Sequence, residues 1–422
     1  MYLSDRGDKY IVDTKYQSPA DPYSLQLADL DPADPALYQK QYHWDYFRRL
    51  RKEDPVHFVE GGEFGPYWSI TRFKDIVYVD THHDLFSSYP AIGIGEPETD
   101  FEPPMFIAMD PPKHDEQRKA VQPAVAPQRL AEMEGLIRGR VIEILDSLPV
   151  GEPFNWVDRV SIELTTRMLA TLFDFPFEDL SKLTYWSDVS TSGPNVGGMI
   201  SEEEREAILM ECLEYFSRLW KERAEAPPKF DFISMLAHDP ATRDMEPMEF
   251  LGNLMLLIVG GNDTTRNSMS GSVLALHENP DQFAKLKGDQ SLIPSMVCEV
   301  IRWQTPLAHM RRKATEDVEI GGKLIKKGDR VVMWYVSGNR DEDVIENPDA
   351  FIIDRANPRN HISFGFGIHR CMGNRLAEMQ FRILWEEILQ RFERVEVVGS
   401  PERVHSNFVM GYTSLPVVLH PL

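Results

Sequence analysis

The chain has 422 residues and a formal net charge of −22, because 67 Asp and Glu residues outnumber 45 Lys and Arg residues. Such an acidic chain is poorly suited to bind nucleic acid or anionic lipid, since both require clustered cations. A content of 42% hydrophobic and 27% charged residues is typical of a globular protein rather than a disordered one.

In chain order, the sequence predicts a single domain over residues 1–422 that begins with an irregular, Pro- and Asp-rich arm over residues 1–45. Short strands are expected at Val56–Val59 and Tyr67–Ile70, followed by a Gly- and Pro-rich loop over 87–112. Helical periodicity dominates from residue 113 to about residue 286, and further short strands are expected at 318–325, 331–335 and 417–419. Helices dominate and do not alternate with strands, so the predicted fold class is mostly α (α+β) rather than Rossmann or TIM.

Cysteine usage and the N-terminus bear on the compartment. Cys212, Cys298 and Cys371 are widely spaced and form neither a disulfide framework nor a CxxC zinc motif. The first residues are polar, and the sequence contains no run of about 18 apolar residues. We therefore expect a cytoplasmic protein without a membrane anchor and without a nucleic-acid partner.

The most informative segment is the Gly-rich stretch 364–373, FGFGIHRCMG, which leads into a helical pattern over 374–392. Cys371 is therefore expected at or just before a helix N-terminus, where the helix dipole and free N–H groups lower a thiol pKa from about 8.5. Glycines let backbone N–H groups approach the sulfur and let a flat ligand lie against the loop. Four arginines and no acidic residue lie between positions 355 and 375, which predicts a cationic patch around the thiolate.

The pattern Phe364-x-x-Gly367-x-x-x-Cys371-x-Gly373 resembles the haem-binding loop of the cytochrome P450 monooxygenases. The resemblance implies the P450 fold, a helical domain with small sheets around a buried haem b. It also implies that Cys371 is the axial iron ligand and that Phe364 lies at the cofactor. For a cysteine in a Gly-rich loop taken alone, the alternative is a small buried hydrophobic residue.

Glu299 and Arg302 lie at positions i and i+3 of a predicted helix. By spacing alone this could be a surface ion pair worth a few tenths of a kcal/mol. The resemblance instead implies a buried pair, locked by a second arginine that would be Arg355, which holds the cysteine loop in place.

The segment 247–277 reads as one long helix that contains Gly260 and Gly261, although two glycines cost about 2 kcal/mol of helix propensity. Residues that disfavour a helix but lie inside a long apolar helix are expected at a functional site. The resemblance implies that Asp263 and Thr264 are the acid–alcohol pair that delivers protons during dioxygen activation. A kinked core helix with an incidental polar patch is the alternative.

His114 and Arg118 lie at i and i+4 and therefore share a helix face. The resemblance assigns these two residues, together with Arg312 and His369, to the haem propionates. Four cationic or hydrogen-bonding groups suit two buried carboxylates, which need partners.

The resemblance runs from about residue 40 to the C-terminus and is closest to the soluble bacterial alkane terminal hydroxylases, through the segments 256–267, 302–310 and 407–416. It implies a narrow apolar channel that leads to the iron. Ordinary core packing is the alternative for each candidate channel residue. The candidate walls are Val259, Gly260, Leu307 and Val409, with Ile92 and Ile94 at the entrance.

The implied reaction hydroxylates a medium-chain n-alkane at its terminal carbon with O2 and two electrons. No flavin or iron–sulfur segment is present, so a ferredoxin and its reductase are expected to supply the electrons, and the arginine patch is a candidate dock with a solvated face as its alternative. Fatty acids, alcohols and terpenoids stay open as substrates. A non-enzymatic haem-thiolate sensor would not need Asp263 and Thr264, and a peroxide-driven hydroxylase would carry an arginine in place of that pair.

Overall fold

The computed structural model describes residues 20–96, 101–193 and 200–422. Helices predominate. The α-helices are α1 (Pro35–Gln39), α2 (His43–Glu53), α3 (Phe73–Thr81), α4 (Lys113–Val121), α5 (Pro127–Asp146), α6 (Glu163–Phe173), α7 (Leu180–Ser190), α8 (Glu202–Glu225), α9 (Phe232–His238), α10 (Pro247–Glu278), α11 (Pro280–Gly288), α12 (Ile293–Gln304), α13 (Tyr335–Gly338) and α14 (Asn374–Arg391). The shorter helices are the π-helix Val157–Ile162 and the 3-10 turns Pro22–Ser24, Leu27–Asp29, Phe106–Ala108, Gln122–Val125, Phe177–Asp179, Gln290–Leu292 and Gly367–His369.

The strands are short and lie in small sheets. They are β1 (Val56–Val59), β2 (Tyr67–Ile70), β3 (Phe86–Ser87), β4 (Phe154–Asn155), β5 (Met310–Ala314), β6 (Val318–Ile320), β7 (Lys323–Ile325), β8 (Arg330–Met333), β9 (Phe392–Val397), β10 (Glu402–Arg403), β11 (Tyr412–Ser414) and β12 (Pro416–Pro421). The largest sheet has the order β1-β2-β8-β5-β3 and contains one parallel pair, β2 with β8. The mostly α (α+β) prediction is confirmed.

The long helix α10 is the central element of the helical part. Its N-cap Glu246 has an extended backbone and Pro247 follows at the first helical position, a common way to begin a helix. Buried residues occur on all sides of α10, as expected for a helix surrounded by others. Within the described residues, no helix combines the length and the apolar character that crossing a bilayer requires.

Residues 20–45 differ from the irregular arm that the sequence predicts. Asp21 and Asp34 each accept a hydrogen bond from a backbone N–H two residues later, and Pro22 and Pro35 follow them as first helical residues. Each Asp–Pro pair therefore begins a short helix, a capping signal that the composition of the segment obscures. Residues 1–19 lie outside the described part, and the single-domain assignment stays a prediction.

Most of the other predicted elements are found where the sequence places them. β1 and β2 have the predicted bounds and pair in antiparallel fashion. The predicted strand at 318–325 is a hairpin, because Gly321 and Gly322 both have positive φ and turn the chain between β6 and β7. The strand predicted at 331–335 ends at Met333, and Tyr335 already begins α13.

Candidate functional site

The cysteine loop connects the 3-10 turn Gly367–His369 to α14. Cys371 lies just before Asn374, the first residue of α14, as predicted. Its backbone N–H donates to the Phe364 carbonyl at 2.8 Å, which closes the loop on itself. Phe364 is half-buried and packs against the largest hydrophobic cluster.

Protein atoms crowd around the Cys371 thiol, yet part of the residue's surface is accessible. Burial raises the pKa of this thiol, although the backbone N–H groups of Gly373 and Asn374 and the charge of Arg118 act against that rise. The predicted lowering is therefore wrong for the polypeptide alone, because desolvation outweighs the helix terminus. A coordinated metal ion would deprotonate a thiol outright.

A buried ion-pair cluster lies on α12, close to the cysteine loop in space. Arg302 donates to both Glu299 carboxylate oxygens, at 2.7 and 2.8 Å, and its side chain is only 1% exposed. Arg355 donates from Nε to the same carboxylate at 2.9 Å, and the Ile352 N–H donates to it at 2.8 Å. Because all of these charges are shielded from water, this cluster is not the surface pair that spacing alone allows.

Asn339 connects this cluster to the chain that leads into the cysteine loop. Its carbonyl accepts from Arg302 at 2.9 Å, and its side-chain oxygen accepts from the Ile362 N–H at 2.8 Å. Its side-chain amide donates to Ser363 Oγ at 2.8 Å, and that hydroxyl donates to the Ile301 carbonyl at 2.8 Å. The ion-pair cluster therefore fixes the residues directly before Phe364.

Two of the predicted propionate partners meet edge to face. The His114 and His369 rings have centroids 4.3 Å apart, and both residues are buried. Each ring leaves one nitrogen, Nε2 of His114 and Nδ1 of His369, without a hydrogen-bond partner among the residues that the structure describes. Since a buried polar atom needs a partner, these nitrogens fit an acidic ligand that the polypeptide itself does not supply.

The other ring nitrogens have protein partners, one distant in sequence and one adjacent. The His369 Nε2 atom lies 2.9 Å from Ser88 Oγ, across a separation of 281 residues, and the His114 Nδ1 atom lies 2.7 Å from Asp115 Oδ1. Ser88 and Asp115 therefore orient the two rings, and sequence analysis missed both. Arg118, one turn after His114, donates to the Arg370 carbonyl directly before Cys371.

Arg312 is close to the two histidines, but two of its nitrogens donate hydrogen bonds to protein groups. Its Nη2 atom donates to the Asp80 carboxylate and its Nη1 atom donates to the Arg311 carbonyl, both at 2.9 Å. Burial and then the Arg312 charge lower the pKa of His369, so the two residues are neighbours. The structure therefore gathers His114, Arg118, Arg312 and His369 around the cysteine loop.

Asp263 is fully buried on α10 and faces α7. Its carboxylate accepts from Ser187 Oγ at 3.2 Å and from Thr191 Oγ1 at 3.4 Å, and it forms an ion pair with Arg266. Arg266 also bridges to Asp188 at 2.7 Å. Burial, opposed by the Arg266 charge, raises the pKa of Asp263 to about 6, so the carboxyl can take up and release a proton near neutral pH.

Thr264 is next to Asp263 but has a different environment, because neighbouring residues of a helix point in different directions. Its hydroxyl donates to the Gly260 carbonyl at 3.2 Å and stays partly exposed. Gly260 is exposed, and a Cβ atom at this position would meet nothing within 4 Å. The helix is continuous across both glycines, so Asp263 and Thr264 belong to a helix rather than to a turn.

Two of the predicted pocket residues, Leu307 and Val409, meet as an isolated antiparallel bridge. Ile92 and Phe408 pack on them and complete a small apolar cluster. The placement of Ile94 at the entrance is wrong, because Ile94 is fully buried in a separate cluster near Trp334. Val259 is half-buried on α10.

A comparison with models of protein families identifies the family of this chain. Residues 136–415 match the family model described as Cytochrome P450. The chain belongs to the cytochrome P450 family.

The similarity covers nearly all of this P450. This P450 is 36% identical over 405 residues to linalool 8-monooxygenase of Pseudomonas putida. The alignment covers 93% of this chain and 99% of the relative. CYP153D17 from Sphingomonas sp. PAMC 26605 is 51% identical with a TM-score of 0.88, over 93% of this chain and 100% of that one. Cytochrome P450-153 from Novosphingobium aromaticivorans is 48% identical with a TM-score of 0.87, over 93% and 99%.

Family membership makes this chain a haem-thiolate monooxygenase that binds haem b. The residues present fit that cofactor. An accessible cysteine at a helix N-terminus suits the iron, and two buried imidazoles with unpaired nitrogens beside two arginines suit the two propionates.

The arginine patch of this P450 is smaller than the sequence predicts. Arg355 forms an ion pair with Glu299, and Arg359 forms a bidentate ion pair with Glu378 at 2.8 Å. Arg370 and Arg375 are exposed on either side of Cys371. The prediction of a four-arginine patch is therefore wrong, because Arg355 lies with Arg302 and Glu299 in a buried cluster and Arg359 is paired with Glu378.

Proposed function

We propose that this P450 hydroxylates medium-chain n-alkanes at the terminal carbon, with O2 and with electrons from a ferredoxin and its reductase. The observation that carries the proposal is the apolar wall of Leu307, Val409, Ile92 and Phe408. An apolar wall recognises hydrocarbon by burial and offers no charge to select a carboxylate. The resemblance of the sequence to alkane terminal hydroxylases supports the substrate class.

The wall is fastened to the helix that carries Thr264. Gln304, at the end of α12, donates to the Met410 carbonyl at 3.0 Å and accepts from the Tyr412 hydroxyl at 2.9 Å. A Cβ atom on Gly271 would lie 2.3 Å from Gln304 Oε1, so Gln304 packs directly on α10. A wall held in this way can hold a chain end in one place relative to α10, which terminal selectivity requires.

Haem supplies the oxidising chemistry when it is bound, and the chain's own residues hold it and manage protons. We assign the thiolate of Cys371 to the iron, with Phe364 beside the loop. We assign His114, Arg118, Arg312 and His369 to the propionates, which the unpaired imidazole nitrogens support. Glu299, Arg302 and Arg355 act structurally by holding the chain that leads into the loop.

Asp263 and Thr264 are assigned to proton delivery. A general acid works best with a pKa near the working pH, and burial raises the pKa of Asp263 to about 6. The Thr264 hydroxyl is accessible on the same helix and can pass a hydrogen bond to a group beside Gly260. A non-enzymatic sensor has no use for such a pair.

Electrons are proposed to enter near Arg370 and Arg375, which are exposed on either side of Cys371. An acidic ferredoxin would be attracted to these two charges, and the attraction would weaken with salt. The cytoplasmic location stays a prediction from the sparse cysteines.

A terpenoid hydroxylase is the second candidate function, because one relative is named linalool 8-monooxygenase. The two candidates are separated by products. Purified protein, reconstituted with a ferredoxin and its reductase, is given an n-alkane series, fatty acids and linalool, and the products are resolved by gas chromatography. We expect terminal alcohols from alkanes, with affinity rising by about 0.8 kcal/mol per buried CH2 until the pocket is full. Mainly subterminal alcohols, or turnover of linalool alone, would contradict the alkane proposal.

Gly260 offers a sharper test of the proposed pocket. Gly260→Ala adds a methyl group that meets no protein atom, so we expect a changed chain-length preference or terminal fraction without loss of stability. Gly135→Ala is the matched control, since Gly135 is also exposed within a helix and a Cβ atom there also meets nothing within 4 Å. Both replacements improve helix propensity by about 1 kcal/mol. The pocket assignment of Gly260 fails if both variants keep the wild-type product profile.

A further inference from the structure

Asp80, near the end of α3, collects three hydrogen bonds from three separate parts of the chain. Its Oδ1 atom accepts from Arg312 of β5 at 2.9 Å. Its Oδ2 atom accepts from the Tyr335 hydroxyl at 3.0 Å and from the Phe366 N–H of the cysteine loop at 2.7 Å. The side chain is 1% exposed, so no solvent contributes to its solvation.

The cysteine loop is shaped to lie against this residue. Gly365 and Gly367 both have φ of +64°, and a Cβ atom on Gly367 would lie 2.3 Å from the Asp80 carbonyl oxygen. A Cβ atom on Gly365 would lie 3.2 Å from the Asp80 carboxylate. The two glycines therefore serve a close approach to Asp80 as well as a left-handed turn.

Asp80 also compensates the charge of Arg312. Both side chains are almost completely buried, at 1% and 3% exposure. Removing one partner of a buried ion pair leaves the other charge unsolvated, which is far more costly than losing an exposed pair. Asp80 therefore supplies the counter-charge that the buried Arg312 requires.

We propose that Asp80 is a positioning residue for the cofactor: one buried carboxylate orients the Arg312 guanidinium toward the haem propionates and fixes the loop that carries Cys371. The inference rests on haem binding, which family membership establishes, and does not depend on the substrate. Asp80 is proposed to act through its contacts with Arg312 and the Phe366 N–H.

The first experiment compares haem retention in purified holoprotein. Asp80→Asn keeps the size of the side chain but removes its charge and turns one acceptor atom into a donor. We expect haem transfer to excess apomyoglobin to be at least tenfold faster than in the wild type. We also expect a smaller share of the reduced carbon monoxide adduct to show the red-shifted Soret band of thiolate ligation. Asp75→Asn is the control, since Asp75 lies in the first turn of the same helix and is half-buried.

The second experiment measures the midpoint potential of the haem. If Asp80 had only a structural role, the Asp80 and Arg312 variants would not shift this potential in opposite directions. Asp80→Asn leaves the Arg312 charge uncompensated and should shift the potential upward. Arg312→Gln removes a cation and should shift it downward, and the double variant should lie between the single variants. Shifts of the same sign in both single variants, or no shift in either, would overturn the proposal.

Tyr335→Phe keeps the test decisive if Asp80→Asn accumulates without haem. It removes one donor to Asp80 and leaves the ion pair intact. We expect a haem transfer rate faster than in the wild type and in Asp75→Asn, with the potential unchanged. A rate equal to that of Asp75→Asn would contradict the role of Asp80.

Discussion

The cysteine side and the α10 side of this P450 are built in contrasting ways. On the cysteine side, two fully buried carboxylates, Glu299 and Asp80, each bind an arginine and a backbone N–H. On the α10 side, Gly260 and Thr264 are accessible, and the apolar wall is formed by a single β-bridge with a few packed side chains.

The difference shows which part of the site depends on buried charges. Buried charges tolerate little displacement, because each must keep its partners to offset desolvation. The cysteine loop is therefore positioned by buried charges, whereas Gly260 and Thr264, on the surface proposed to meet the substrate, are accessible and carry no charge. Substitutions on the cysteine side should cost cofactor and stability, and those on the α10 side should alter selectivity and coupling.

The largest expected effect is that of Cys371→Ser. A serine oxygen does not donate electron density to iron as a thiolate sulfur does, so the red-shifted Soret band of the reduced carbon monoxide adduct and the hydroxylase activity should both disappear. Cys212→Ser is the control, because Cys212 is a buried thiol in the core around α8. Retention of the band and of activity in Cys371→Ser would refute the assignment of the ligand.

Next in size is the loss of a buried anchor. Glu299→Gln leaves Arg302 and Arg355 without a counter-charge, and breaking such a buried pair costs about 3–5 kcal/mol. The measurable result is a much lower melting temperature and a low haem content. Glu378→Gln breaks the pair with Arg359, whose side chain is 62% exposed, and should cost less than about 1 kcal/mol. Equal losses of stability in the two variants would contradict the special importance of buried ion pairs on the cysteine side.

Thr264→Ala should leave folding and haem content nearly unchanged but uncouple electron use from product formation, because Thr264 is partly exposed and its hydroxyl donates to a carbonyl of its own helix. The test is the ratio of NADH consumed to alcohol formed, which should rise several-fold. Ser268→Ala removes a matching hydrogen bond on the same helix, from Ser268 Oγ to the Thr264 carbonyl, and should keep wild-type coupling. Unchanged coupling in Thr264→Ala would exclude it from proton delivery.

The smallest expected effect is a pH dependence of stability from Asp263. Burial raises the pKa of Asp263 from 3.8 to about 6 in the folded protein, so the folded state binds more protons than the unfolded state between these values. Its contribution to stability is therefore fully present below about pH 4 and is lost as the pH rises through about 6. The melting temperature of the wild type relative to Asp263→Asn should fall over that range. A difference that stays constant with pH would contradict the raised pKa.

Local sequence patterns predicted the elements whose chemistry is contained in one stretch of chain. The glycines and Cys371 at 364–373 mark a loop before a helix, and the polar residues at 260–264 are prominent inside α10. β1 and β2 follow from alternation and β-forming residues, because strand signals are local.

Only the tertiary structure decided how distant segments share charges. Asp80 lies 286 residues from Phe366, and Ser88 lies 281 residues from His369. Nothing in the local pattern around Asp80 distinguishes it from an ordinary helix residue. Likewise, Arg355 and Arg359 look like free cations in the sequence until folding brings Glu299 and Glu378 to them. Composition and spacing thus determined the Gly-rich loop around Cys371 and the long helix, whereas partner choice among buried charges depended on packing, since desolvation is felt only once separate segments exclude water together.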